Sequence, residues 1–281
     1  MTQQVYSYFP GCSLATSAKE NNQSMVAFLD VFEVKLEELA DWNCCGSSSA
    51  HSIDNKLAGE LAARNLALAP DDRPLLVACP SCYLRLKGMH LHMSRDEALR
   101  RRYQRERNRS HNSGLEIIHF FELLRAISLR PDFRDKIKRL PDLRVAPYYG
   151  CMLAHPPGLR HRHDFTGIME TVVNALGAVS VPWSFSGRCC GTFLTAARPD
   201  IVTPIINQIT GGAIRAGADC IVTACAMCHM NLEIRSAKPN QLPVFHFSEI
   251  LALAMGQEVP DNWFARHLVD PRPLLERKKL L

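Results

Sequence analysis

The sequence predicts an α/β protein built from two pseudo-symmetric repeats, each a small parallel-sheet unit with helices on both faces. Two observations carry this expectation. Short apolar runs alternate with longer helix-like stretches along the chain, as strands joined by crossover helices do. Four landmarks also recur in the same order, which marks an internal duplication. "YFPGCS" pairs with "YYGCML", "NCCGSS" with "RCCGTF", "LVACPSCYLRL" with "IVTACAMCHMNL", and "IIHFFELL" with "VFHFSEIL". The repeats are expected over residues 1–141 and 142–281, the first with an extra stretch near 94–114.

Each element follows from its residues. "VYSYFPG" and "LRVAPYYG" are β-rich and end at a cysteine. "KENNQSMVAFLDVF" reads as a helix, and a short strand is expected before each CC pair. "KLAGELAARNLALA" and "DIVTPIINQITGGAIRAG" read as the second helices. "PLLVAC" and "CIVTAC" are apolar strands whose ends carry CxxC. Open parallel sheets gather ligands at the carboxyl ends of their strands, where the lone Cys and the CxxC of each copy fall. Gly46 and Gly191 follow the CC pairs and remove a side chain where a bulky cofactor could approach the backbone.

The 281 residues are 47% apolar, enough for a packed core. The net charge is +5, and +4 of it sits in Arg95–Arg109, seven Arg against Asp96, Glu97 and Glu106. So local an excess argues against nucleic-acid binding. It suits a solvated helix face or a strip that docks an acidic partner. The first residues lack a basic start followed by an apolar run, and no stretch approaches 18 unbroken apolar residues. A cytoplasmic protein with no membrane span is expected.

Eleven cysteines in such a chain point to metal or redox work. Ten form two matched sets. Cys12, Cys44, Cys45, Cys79 and Cys82 read C-x31-CC-x33-CxxC; Cys151, Cys189, Cys190, Cys225 and Cys228 read C-x37-CC-x34-CxxC. Cys220 is left over and reads as a small core hydrophobe. Two matched sets of five are hard to explain as ordinary packing residues. Zinc takes four ligands and would leave one thiol unused in each set. A CxxC dithiol would leave the CC pair and the lone Cys unexplained. An iron–sulfur cluster has several irons close together, so adjacent thiolates can serve neighbouring irons or one sulfur can bridge two. Iron–sulfur ligation therefore fits the spacing best, with zinc and a redox dithiol as rivals.

The duplicated pattern resembles the cysteine-rich "CCG" domain of the B-type subunit of heterodisulfide reductase. The resemblance spans nearly the whole chain through "YFPGCS", "DWNCCG", "ACPSC", "YYGCML", "RCCGTF" and "CAMCHMNL". It implies two noncubane four-iron, four-sulfur clusters, one held by each set of five cysteines. It implies an oxidoreductase component that interconverts a disulfide and two thiols, or oxidises sulfur on a carrier protein. The implied partners in the complex are a C-type iron–sulfur protein and an A-type flavoprotein. The alternative within the superfamily is an electron-transfer subunit for hydroxy-acid or glycerol-3-phosphate oxidation.

Other residues are weaker candidates. Ser47, Ser48, Ser49 and Thr192 beside the CC pairs offer hydroxyl donors to sulfur, against a simpler reading as loop residues. His51, His155 and His229 lie near cysteines and read first as packing or surface histidines. His119 and His246 occupy matching places, which favours a shared structural role. "HPPG" at 155–158 reads as a rigid turn. The basic tail "PRPLLERKKLL" is expected to fray or to pack on a neighbour.

Overall fold

A computed structural model describes residues 3–47, 50–107, 112–156, 165–237, 241–256 and 261–281, without the side chains of 105–107 and 261–262. Ser48 and Ser49, Arg109 of the basic strip, and Pro157 and Gly158 of the expected turn lie outside the described residues.

The first repeat runs β1 (Gln4–Phe9), α1 (Gly11–Ala15), α2 (Lys19–Val31), β2 (Val34–Glu38), α3 (Ala50–Ile53), α4 (Asn55–Leu66), β3 (Leu75–Val77), α5 (Pro80–Arg95), α6 (Glu97–Arg107), β4 (Ile117–His119) and α7 (Phe120–Ser128). The second runs β5 (Arg144–Tyr148), α8 (Gly150–Ala154), α9 (Ile168–Ala175), β6 (Val179–Ser180), α10 (Pro199–Arg215), β7 (Cys220–Thr223), α11 (Ala226–Arg235), β8 (Val244–His246) and α12 (Phe247–Ala254). Two short helices close the chain, α13 (Asp261–Phe264) and α14 (Arg272–Arg277). The helix α6 is the insertion of the first repeat.

Each repeat forms one four-stranded sheet, in the orders β2-β1-β3-β4 and β6-β5-β7-β8. Every pairing is parallel. In both sheets the chain order reverses between the two central strands. That junction opens a crevice at their carboxyl ends. Phe9 pairs with Val77 there, and Tyr148 with Thr223. The lone cysteine and the CxxC follow within a few residues.

His119 and His246 do share a structural role. Each closes the strand before a helix and caps that helix. His119 Nδ1 accepts from the Phe121 N–H at 3.1 Å, while Glu122 accepts from the His119 N–H at 2.8 Å. His246 and Glu249 repeat the arrangement on α12. Reciprocal caps of this kind satisfy two helix-terminal donors at once. Burial holds both imidazoles neutral, pulling the pKa of His119 down to about 3 and that of His246 to about 4.

The repeats share a core. Phe121 and Phe247 meet edge to face with centroids 5.3 Å apart. Ser24 of α2 and Ser248 of α12 are 2.7 Å apart, oxygen to oxygen, in the buried contact between those helices. The tail packs on its own chain instead of fraying. Leu274, Leu275 and Leu280 are buried, and Lys278 pairs with Asp219 at 2.8 Å. Leu274 and Leu275 give α14 one buried face, and Arg272 and Arg277 are exposed on the other. On α6, Arg100 and Arg101 pair with Glu97, Arg102 pairs with Glu60, and Tyr103 is buried. That is the solvated-face reading of the strip. Among the described residues no helix is long and apolar enough to cross a membrane.

Candidate metal centre

All ten paired cysteines line one narrow cleft of about 100 Å³ between the two repeats. Cys12 and Cys151 open the short helices after β1 and β5. Cys44, Cys45, Cys189 and Cys190 come from the two CC loops. Cys79 and Cys225 are extended residues that cap α5 and α11, so Cys82 and Cys228 fall in the first turns of those helices. Pro80 at the first position of α5 pre-sets the helical φ there. Cys220 lies apart in β7, fully buried opposite Val145, as expected of a core residue.

Within each set the sulfurs crowd. Cys45 Sγ lies 3.1 Å from Cys82 Sγ, and Cys190 Sγ lies 3.3 Å from Cys228 Sγ. These are contacts between free thiols, since a disulfide measures about 2.04 Å. The two sets also touch, for Cys79 and Cys225 interact directly.

The donors that reach the sulfurs among the described residues are backbone N–H groups. Gly46 N–H donates to Cys44 Sγ at 3.4 Å and Gly191 N–H to Cys189 Sγ at 3.3 Å. The amides of Ser47 and Thr192 reach Cys45 and Cys190. The Thr192 hydroxyl instead points at the Met227 carbonyl, 3.4 Å away. The first-turn amides of Ser81 and Cys82 reach Cys79, because helix N-termini leave such donors unpaired.

Gly46 and Gly191 have a different purpose from the one the sequence suggested. Both are left-handed, with φ of 80° and 73°. A Cβ on Gly46 would sit 3.1 Å from the backbone of Ala58, and one on Gly191 would sit 3.2 Å from Val202. They let the CC loops turn tightly against α4 and α10. The glycine that makes room for sulfur is Gly11, while Gly150 in the matching place faces sulfur at ordinary contact distance. A Cβ on Gly11 would lie 2.9 Å from Cys82 Sγ, and one on Gly150 would lie 3.4 Å from Cys228 Sγ.

Crowding divides the thiols by charge. The neighbouring thiols Cys44 and Cys82 hold the pKa of Cys45 down to about 4. A bond from Cys151 holds Cys189 down to about 6. Their neighbours Cys44, Cys82, Cys151 and Cys228 are pushed up in turn. A soft cation entering such a set displaces the remaining protons. The donor set is purely sulfur, five thiols to a repeat, with amides directed at them. It suits a thiolate-bound metal cluster and leaves no carboxylate or imidazole to favour a harder ion.

A larger cavity of about 600 Å³ adjoins the cleft and shares Ser47, Ser81, Met152 and Phe193 with it. Arg85, His51 and His92 line its wall. His51 meets Phe193 edge to face at 6.1 Å, which brings the two CC loops together at the mouth. His155 stands near the backbone of Gly187, not in the cleft. His229 is buried outside the cleft beside Glu233 and His267.

The model of the cysteine-rich (CCG) domain matches this chain twice, over residues 6–87 and 145–233. The chain belongs to the cysteine-rich CCG domain family. Each matched stretch holds one full set of five cysteines, so the duplication read from the sequence is the duplication of that domain. Among relatives, the 8-methylmenaquinol:fumarate reductase membrane anchor subunit of Wolinella succinogenes is 30% identical, with 97% of this chain and 99% of that protein aligned. The B-type subunit of the ferredoxin:CoB-CoM heterodisulfide reductase of Methanosarcina mazei is 27% identical over 89% of each. A solved structure of a hypothetical protein from Helicobacter pylori shares the fold, with a TM-score of 0.74 over 95% of this chain at 13% identity. This CCG chain spans 52% of that one's length.

Proposed function

We propose that this CCG protein is the iron–sulfur subunit of a cytoplasmic oxidoreductase complex that interconverts a disulfide and two thiols. Cys12, Cys44, Cys45, Cys79 and Cys82 would hold one noncubane four-iron, four-sulfur cluster. Cys151, Cys189, Cys190, Cys225 and Cys228 would hold the other. One observation carries this reading: the two sets of five open onto one shared cleft. Splitting a disulfide takes two electrons and two protons and yields two thiols. When bound, each cluster supplies one-electron transfer and iron with an affinity for thiolate.

The chain's own residues do the rest. The cleft is continuous with the adjoining cavity, so a sulfur pair can reach it from there. The adjoining cavity takes the rest of the substrate, where Arg85 offers a bidentate grip on a carboxylate or phosphate. His51 and His92 stand on that cavity's wall, where a departing thiolate takes its proton. Electrons would pass to and from partner iron–sulfur and flavoprotein subunits, or to a sulfur-carrier protein at the mouth.

The likeness to a fumarate reductase subunit favours a second reading, in which the chain only relays electrons for an organic-acid oxidoreductase. A test separates the two. Anaerobically purified protein should carry about eight irons with sulfide per chain. Adding a thiol should change the cluster electron paramagnetic resonance signal on oxidation. Iron without any thiol response favours the relay, and stoichiometric zinc in colourless protein defeats both readings.

A further inference from the structure

Behind α11, on the side away from the thiol cleft, three side chains converge with unpaired atoms. His229 and Glu233 stand one turn apart on the helix, and His267 arrives from the segment after α13. Their side chains are only 6%, 3% and 0% exposed. His229 Nε2, Glu233 Oε1 and His267 Nδ1 have no hydrogen-bond partner although they are buried. Burying unpaired polar atoms is costly, and three together need a reason.

The distances supply one. Glu233 Oε1 is 3.6 Å from His229 Nε2 and 3.3 Å from His267 Nδ1. All three atoms lie within 4.8 Å of one another. Nitrogen and oxygen ligands bound to zinc at about 2.0–2.1 Å in a tetrahedron stand about 3.3–3.4 Å apart. Glu233 Oε1 thus faces both imidazoles at ion-pair range. Burial would lower the His267 pKa, but Glu233 and Glu249 outweigh it and raise it to about 10, so a dication binding there takes the place of that proton.

The other atom of each group is held from behind. His267 Nε2 is 3.0 Å from Glu249 Oε1, and Glu249 Oε2 is fixed by the His246 amide. Glu233 Oε2 accepts from the Leu268 N–H at 2.8 Å. His229 Nδ1 faces the amide of Asn21 at 3.5 Å, and Asn21 Oδ1 is itself unpaired. Turning that amide over would let Oδ1 accept the Nδ1 proton and free Nε2 as a ligand. Outer partners that orient histidine and carboxylate ligands in this way are the rule at protein metal sites.

We propose that His229, Glu233 and His267 bind a divalent transition ion, zinc being the probe of choice, at a third site independent of the cysteines. The fourth position opens to a separate cavity of about 240 Å³ that Glu20 and Arg266 also line. Glu20 Oε2 is buried there without a hydrogen bond, 3.8 Å from the half-exposed Arg266. Glu20, Glu233 and Glu249 bury three carboxylates in one region, and a dication offsets that charge. Two imidazoles and one carboxylate are a common ligand set for zinc and for ferrous iron. The ion would pin the C-terminal segment to the helix that carries Cys225 and Cys228.

The test uses the full chain with its iron in place. The protein is treated with a chelator, offered zinc chloride and desalted. Wild type should retain one zinc beyond its iron, with only nitrogen and oxygen around it by X-ray absorption. His267→Ala and Glu233→Gln should each weaken zinc binding at least about tenfold while iron content and circular dichroism stay at wild-type values. Glu233→Gln keeps the side-chain volume, so it remains decisive if His267→Ala fails to fold. Three outcomes overturn the site: zinc retained equally by Glu233→Gln, sulfur in the zinc shell, or no retained zinc. In the last case His267 is an imidazolium paired with Glu233 and Glu249, which nuclear magnetic resonance of its ring would reveal.

Discussion

The Cys79 thiol meets the Cys225 thiol across the junction of the two repeats. Each caps the helix of its own CxxC, so the two pseudo-symmetric sites abut at equivalent residues. On the proposed assignment, replacing Cys79 with Ser should remove the first cluster and alter the spectrum of the second. Iron should fall from about eight to about four per chain, measured on anaerobic protein. Cys220→Ser, in the strand that leads to Cys225 but away from the cleft, should leave iron unchanged.

Gly11 and Gly167 separate backbone strain from lost space. Both are left-handed, at φ of 76° and 82°. Alanine at either should cost about 1–2 kcal/mol in urea unfolding. A Cβ at Gly167 meets nothing within 4 Å, whereas one at Gly11 presses on Cys82 Sγ. Only Gly11→Ala should also lose iron from the first site.

Acid should weaken the fold through its two capping histidines. Burial holds the folded pKa of His119 at about 3 and that of His246 at about 4, below the unfolded value of about 6.5. The unfolded chain therefore binds protons first as pH falls. Stability is full above about 6.5 and declines below it by about 1.4 kcal/mol per pH unit for each histidine. Replacing both with Asn keeps a capping acceptor without the titration. Urea midpoints at pH 7, 6 and 5 should then flatten, and an unchanged slope would refute this assignment.

Arg85 tests the adjoining cavity. If it grips an anionic group remote from the reacting sulfurs, Arg85→Ala should raise KM about tenfold and leave kcat nearly unchanged. Steady-state rates with a carboxylated disulfide would show this. Equal losses in kcat and kcat/KM would move Arg85 into the reaction itself.

Much of this was legible in the sequence because duplication prints each element twice. The strands before Cys12 and Cys151, and those that run into the CxxC motifs, rest on local pattern and lie where expected, whereas the helices α5 and α11 that begin at CxxC were not read from the sequence. The shared cleft was not legible, since nothing local says that two repeats should turn their loops toward each other. His267 follows Glu233 by 34 positions and carries no motif, so its meeting with His229 exists only in three dimensions. Gly46 misled because positive φ and closeness to Ala58 are invisible in a string of letters. The amides of Ser47 and Thr192 were not legible as sulfur donors because the direction of an N–H depends on the folded backbone.

The contact of Ser24 with Ser248 spans 224 positions of chain. Helices α2 and α12 bury their faces on one another, and Cys79 must wait for Cys225 to find its neighbour. A ribosome releases the first half long before the second exists. The emerging N-terminal segment therefore carries bare thiols and an uncovered apolar surface until synthesis nears its end. Neither set of five can therefore close against the other until the second repeat has been made.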